Sequence, residues 1–191
     1  MLIRIPLFAV ALGIAIPASA HTGHITTAGF MHPLSGLDHL LVMVSVGLWA
    51  ALLGGRAVWL VPTAFLVSMV GGFAIAVAGI RLPAVEPGIA ASVLIIGILV
   101  AAAVRLPLRA SLGLVGLFAF FHGLAHGVEF VAADSATVVR LAFGFITATA
   151  LLHLTGVGLG QALHGSRHAM LVRSLGGAVA VCGALLLGGW T

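Results

Sequence analysis

The 191-residue chain is 62 % hydrophobic, only 6 % charged, and has a mean hydropathy of +1.29, which excludes a water-soluble globule and defines a polytopic membrane protein. Its formal charge of +4 comes from 8 basic residues, all Arg and widely scattered, against 4 acids, so nucleic acid is excluded as a natural partner. The lone Cys182 rules out an intrachain disulfide and any metal site built on thiolates.

At the N-terminus Arg4, the apolar stretch Ile5 to Ile16, Pro17 and Ala18-Ser19-Ala20 follow the order of a secretory signal peptide. Cleavage after Ala20 is expected, leaving residues 21–191 as a single membrane domain with its mature N-terminus on the extracytoplasmic side. An uncleaved anchor helix is the other reading. The new terminus would begin His21-Thr22-Gly23-His24, where a free amine beside an imidazole can chelate a transition metal. A disordered polar terminus is the plainer alternative.

Beyond Gly29 the sequence predicts an all-α bundle of six transmembrane helices, roughly 34–53, 58–80, 88–104, 110–131, 136–160 and 170–189, each near the length a helix needs to cross the hydrocarbon. With the mature terminus outside, Arg56, Arg105, Arg109, Arg167 and Arg173 fall inside, while Arg81 and Arg140 fall outside beside Glu86 and Asp134. That bias agrees with the positive-inside rule and, with a cleaved signal, implies a bacterial inner membrane. The connecting segments are short and hold Gly54-Gly55, Pro83, Pro87 and Pro107, which leaves no room for a second domain. Glu86 and Asp134 are read most simply as solvated outer-loop acids, with a weak attraction for incoming cations as the other reading.

Two stretches carry chemistry. In His32-Pro33-Leu34-Ser35-Gly36-Leu37-Asp38-His39, Pro33 suits the first turn of the first span, and Asp38 lies near that helix's positive end. Asp38 and His39 are about 100° apart on a helix, so one is expected to bind an ion and the other to orient it. In Phe121-His122-Gly123-Leu124-Ala125-His126-Gly127-Val128-Glu129, the residues His122, His126 and Glu129 share one helix face. Ionisable side chains are rare at membrane depth and usually functional. Gly123 and Gly127 form a Gly-x-x-x-Gly pair that lets a neighbouring helix come close. Both clusters fall in the outer half of the membrane and meet if the first and fourth spans are neighbours.

Imidazoles and carboxylates without thiolate suit a borderline divalent ion such as Ni²⁺, Co²⁺ or Zn²⁺ rather than Ca²⁺ or Mg²⁺. The two motifs resemble the signatures of the HupE/UreJ family of nickel/cobalt permeases, and a cleaved signal followed by six spans resembles that family over essentially the whole chain. The resemblance implies secondary transport of Ni²⁺ or Co²⁺ to supply nickel enzymes such as hydrogenase and urease, or cobalt cofactor synthesis. It implies no enzymatic activity and no permanently bound cofactor, the metal being cargo. Carried over position by position, it implies His32, Asp38, His39, His122, His126 and Glu129 as the metal residues.

Two other classes stay open on the residues alone. The same cluster can hold Zn²⁺ and activate water in an intramembrane hydrolase, and paired histidines on facing helices can ligate haem. The absence of a Gly-x-x-x-x-Gly-Lys-Ser/Thr motif favours a transporter that does not hydrolyse nucleotide. His153 is either a later station on an ion path or a packed histidine bonded to a neighbouring helix. His164 and His168 share an inner loop with Arg167, which repels cations.

Overall fold

Every apolar run expected from the sequence forms a helix, and a further helix precedes them. The computed structural model describes residues 24–189 apart from 132, 166 and 167. Its elements are α1 (His24–Ser35), α2 (Leu37–Leu53), α3 (Ala57–Val77), α4 (Val85–Ala101), α5 (Leu108–Val128), α6 (Ser135–Ala162) and α7 (Ala169–Leu187), with no strand among the described residues. The expected signal peptide at 1–20, His21 and the side chain of His24 lie outside the described residues.

Four helices, α3, α5, α6 and α7, are long and apolar enough to cross a membrane. The α1–α2 pair passes the same test as one broken segment bent by 84°, and α4 is a shorter apolar helix of 17 residues. The runs expected at 34–53 through 170–189 coincide with α2 to α7 to within a few residues.

The start of the first span differs from expectation. Pro33 does not open a helix; it lies inside α1, near its end, and the next helix starts at Leu37. The break falls at Gly36, whose extended backbone (φ −92°, ψ 119°) ends one helix and caps the next. A proline within the last turn of a helix still removes the bond to the carbonyl four residues back, so α1 draws its stability from packing on α6. Gly29 lies directly against Leu141, and Gly144 against Thr26 and Phe30, leaving no space for a Cβ at either.

Close backbone contacts recur through the bundle. The most extensive packing is α3 on α5, α4 on α7, α2 on α6 and α1 on α6. The expected Gly123 and Gly127 pair faces α3, where an added Cβ would overlap the carbonyls of Met69 and Phe73. Gly47 and Gly156 do the same between α2 and α6, and Gly97 and Gly176 between α4 and α7. In the helical pairs Gly71-Gly72 and Gly176-Gly177 only one member is used: Gly72 and Gly176 meet a neighbouring helix, whereas Gly71 and Gly177 have open space. Consecutive helical residues point about 100° apart, so both cannot face one neighbour.

Side chains are distributed as a bilayer requires. Trp59, Val67, Phe143 and Met170 are exposed on the outside, while Ser92, His122, His126, Thr149 and His153 are buried with Trp49, Phe65 and Met69. At one end, Trp49 Nε1–H donates to the Val104 carbonyl at 2.9 Å and Arg173 Nε–H to the Ala101 carbonyl at 2.8 Å, tying α2 and α7 to the end of α4. At the other end Asp134 caps α6, accepting from the backbone N–H groups of Ala136 and Thr137, both at 3.0 Å, and from the Thr137 hydroxyl at 2.6 Å. Those bonds, the Thr137 hydroxyl first, hold its carboxyl below the usual range. Asp134 is therefore a helix cap rather than a merely solvated acid.

Two alanine substitutions on α5 separate packing from propensity. Gly123→Ala should destabilise the protein by about 1–3 kcal/mol because the α3 backbone must move. Gly113→Ala, with nothing near its Cβ position, should not. Thermal unfolding of the purified protein in detergent checks both, and equal midpoints would mean that the α3–α5 contact tolerates a methyl group.

Candidate metal centre

The break at Gly36 turns the chain so that both of its flanking helices deliver side chains to one place. Asp38 stands in the first turn of α2, where the helix end favours a carboxylate, and His39 follows it. The Asp38 carboxylate accepts from His39 Nδ1–H at 3.0 Å. A Cβ at Gly36 would stand 2.9 Å from Asp38 Oδ1 and 3.0 Å from His39 Nδ1, so glycine leaves room for this pair as well as making the turn.

On α5, His122 Nδ1–H donates to the Phe118 carbonyl at 2.8 Å. A carbonyl or a carboxylate only accepts here, so His39 and His122 each carry their proton on Nδ1 and present a lone pair at Nε2. Both Nε2 atoms are buried and have no hydrogen-bond partner among the described residues, and the same is true of His126 Nε2. Fixing one ring nitrogen with a hydrogen bond while leaving the other bare is the way proteins prepare histidines for metal.

His126 connects two layers. Its Nδ1 lies 2.9 Å from His32 Nε2 and 3.7 Å from Glu129 Oε1, and His32 Nε2 lies 3.6 Å from the same carboxylate oxygen. The donor atoms of His32, His126 and Glu129 all fall within 4.8 Å of one another, a spacing that one metal ion can bridge. Deeper in, the His39 ring centroid is 4.5 Å from that of His126 and 5.1 Å from that of His122. Phe145 of α6 backs His126 at 4.3 Å. Side-chain exposure falls from 47 % at Glu129 and 35 % at His32 to 3 % at His126, which gives the cluster a mouth and a floor.

The mouth opens into a cleft of about 290 Å³ lined by His32, Ser35, Asp38, His39, His126, Glu129 and also Glu86. A neighbouring hollow of about 350 Å³ shares Asp38 and Glu86. Glu86, expected as a solvated loop acid with a weak attraction for cations as the other reading, sits in the first turn of α4 and adds a further carboxylate to the cleft. The available signal was its place at the outer start of a span, level with the other acids.

All six motif residues thus reach one region, by a route the sequence did not suggest. The helices α2 and α5 each pack chiefly on another partner, α6 and α3, and they meet here through histidine rings. His32 comes from α1 and not from the span that carries His39. Asp38 acts on His39, as expected of one member of that pair. His164 and His168 flank the turn between α6 and α7, at the far end from the cleft. His153 lies deeper in the bundle, beyond Phe65.

A helical bundle that is apolar outside and gathers imidazoles and carboxylates inside is a multi-pass membrane protein with donors suited to a borderline divalent cation. The chain belongs to the HupE / UreJ protein family, whose sequence model matches residues 9–186. It is 45 % identical over 182 residues to Protein HupE of Rhizobium leguminosarum bv. viciae, an alignment covering 92 % of this chain and 94 % of that protein. No solved structure matches the chain.

If the cluster holds a metal, removing the charge that orients His39 should weaken its binding. Asp38→Asn is expected to weaken Ni²⁺ binding to the purified protein by about 10–100-fold. Equilibrium dialysis against radioactive nickel measures this, and an unchanged affinity would place Asp38 outside the site.

Proposed function

We propose that the chain is a secondary permease for a divalent transition metal, Ni²⁺ foremost and Co²⁺ next, that takes the ion from the extracytoplasmic side of a bacterial inner membrane to supply metalloenzyme maturation. The observation that carries this reading is the pair of buried, unpartnered Nε2 lone pairs on His39 and His122 lying behind the open His32–His126–Glu129 triad. Membership of the HupE / UreJ family supports it. In this reading α1 and α2 make one broken span and α4 a short one, for six crossings.

The distribution of charges supports this orientation. Arg56, Arg105, Arg109 and Arg173 are at the end of the bundle opposite the cleft, and Arg81 and Arg140 are at the cleft end, which supports an outward-facing cleft. A hydrated cation is drawn to Glu86 and Glu129 at the mouth and exchanges water for His32, His126 and Glu129. It then passes to the lone pairs of His39 and His122. Asp38 and Glu129 together offset the charge of a dication, and neutral imidazoles leave no excess positive charge when the site is empty.

Uptake of radioactive nickel by cells expressing the chain should exceed that of cells expressing His126→Ala by more than about tenfold at equal protein abundance. Cobalt should compete more effectively than zinc. Equal uptake by the two strains would remove His126 from the transport path, and wild-type uptake no higher than in cells lacking the chain would end the permease reading.

Protons compete with metal for imidazole lone pairs. Uptake should therefore fall as the external medium is acidified. A rate unaffected by acidification would argue against imidazole as the capturing ligand.

A further inference from the structure

The row of rings does not stop at the metal centre. The Phe65 ring lies 5.7 Å from His122 on one side and 4.8 Å, edge to face, from His153 on the other. Phe65 is fully buried and His153 is 1 % exposed. Neither ring nitrogen of His153 has a hydrogen-bond partner among the described residues, and neither does the hydroxyl of Thr149. Thr149 precedes His153 by one turn on α6, so the two share a face.

Three polar atoms without partners are costly inside a membrane bundle, where a helix that needed only to pack would carry Leu and Val. The helix has no freedom to relieve them by sliding. Gly47 of α2 lies directly against the His153 carbonyl, and Gly156 of α6 against Val44, which locks the two backbones in register on either side of the histidine. The chain's four acids are all elsewhere, Asp38, Glu86 and Glu129 at the cleft and Asp134 at the start of α6.

The geometry points to a second cation station at His153 and Thr149, inward of Phe65, which takes a divalent transition-metal ion with water completing its shell. This rests on the permease reading above. The outer centre holds the ion with imidazoles and carboxylates, whereas this station offers one imidazole and one hydroxyl with no opposing charge. It therefore holds the ion weakly, as a site that must hand its cargo onward requires. Phe65 stands between the two as an apolar partition, so transfer needs its ring to move aside.

Leucine is close to histidine in volume and has no polar atom, so His153→Leu separates packing from ion transfer. We expect the His153→Leu protein to match or exceed wild type in abundance and thermal midpoint, and to bind nickel at the outer centre within about twofold of wild type, yet to lose nickel uptake by about tenfold or more. His153→Gln, which restores a neutral donor, should recover part of that uptake. Thr149→Val should lower uptake about threefold without lowering stability. Wild-type uptake by His153→Leu would overturn the station, and so would a parallel loss of outer-centre affinity, since the effect would then act through that centre. Cells lacking the chain, run alongside, distinguish the failures. If wild type takes up no more nickel than they do, the permease reading itself has failed; if it does and His153→Leu matches it, only the inner station falls.

Discussion

A bilayer supplies no hydrogen bonds to a side chain, and the whole arrangement follows from how this chain manages that lack. Imidazoles can be stored at membrane depth only where helices seal them from lipid, and the sealing is done by glycine. Gly123 on Met69, Gly47 on His153 and Gly156 on Val44 bring backbones together closely enough that polar interior atoms see only protein. The apolar side chains displaced from those contacts face outward, as Trp59 and Phe143 do. Polarity inside and hydrophobicity outside are two results of the same packing.

Within that seal, His39 and His122 are each given a defined protonation by a neighbour. Asp38 and the Phe118 carbonyl take up the Nδ1 protons of His39 and His122, so the free nitrogens are bases before any ion arrives. His126 instead shares its Nδ1 with His32 and leaves Nε2 bare towards the interior. One ring thus faces the open cleft and the closed core at once. Carboxylates are confined to the mouth, where Glu129 is half in solvent and Asp38 and Glu86 line the same cleft. Attraction for a cation is consequently greatest at the mouth of the cleft and declines inward.

Much of this was legible in the sequence, for reasons that differ by residue. The common face of His122, His126 and Glu129 follows from helical periodicity alone, and the close approach at Gly123 and Gly127 follows from their spacing. The apolar runs marked α2 to α7 to within a few residues because membrane helices are hydrophobic all along their length. What escaped was α1. Its residues Thr26, Thr27 and His32 lack an apolar run, and Pro33 reads equally well as a helix start. Only the contact with α6 makes that segment a helix, and tertiary contacts leave no local signal. Glu86 and Asp134 escaped for a related reason. An acid near the start of a helix looks the same in sequence whether it is solvated, caps the helix or lines a cleft.

The pattern of helix packing divides the donors between two groups. His32, Asp38, His39, Thr149 and His153 stand on α1, α2 and α6, which are joined through glycine contacts, whereas Phe65, His122, His126 and Glu129 stand on α3 and α5, joined in the same way. The seam between these two stiff blocks is made largely of side chains, and the 2.9 Å contact from His32 to His126 crosses it. In the proposed permease an ion bound there would be a rivet between the blocks. Its arrival would fasten them at the outer end and its departure unfasten them, so the cargo itself would alter the mechanical coupling along which any opening at the far end must travel.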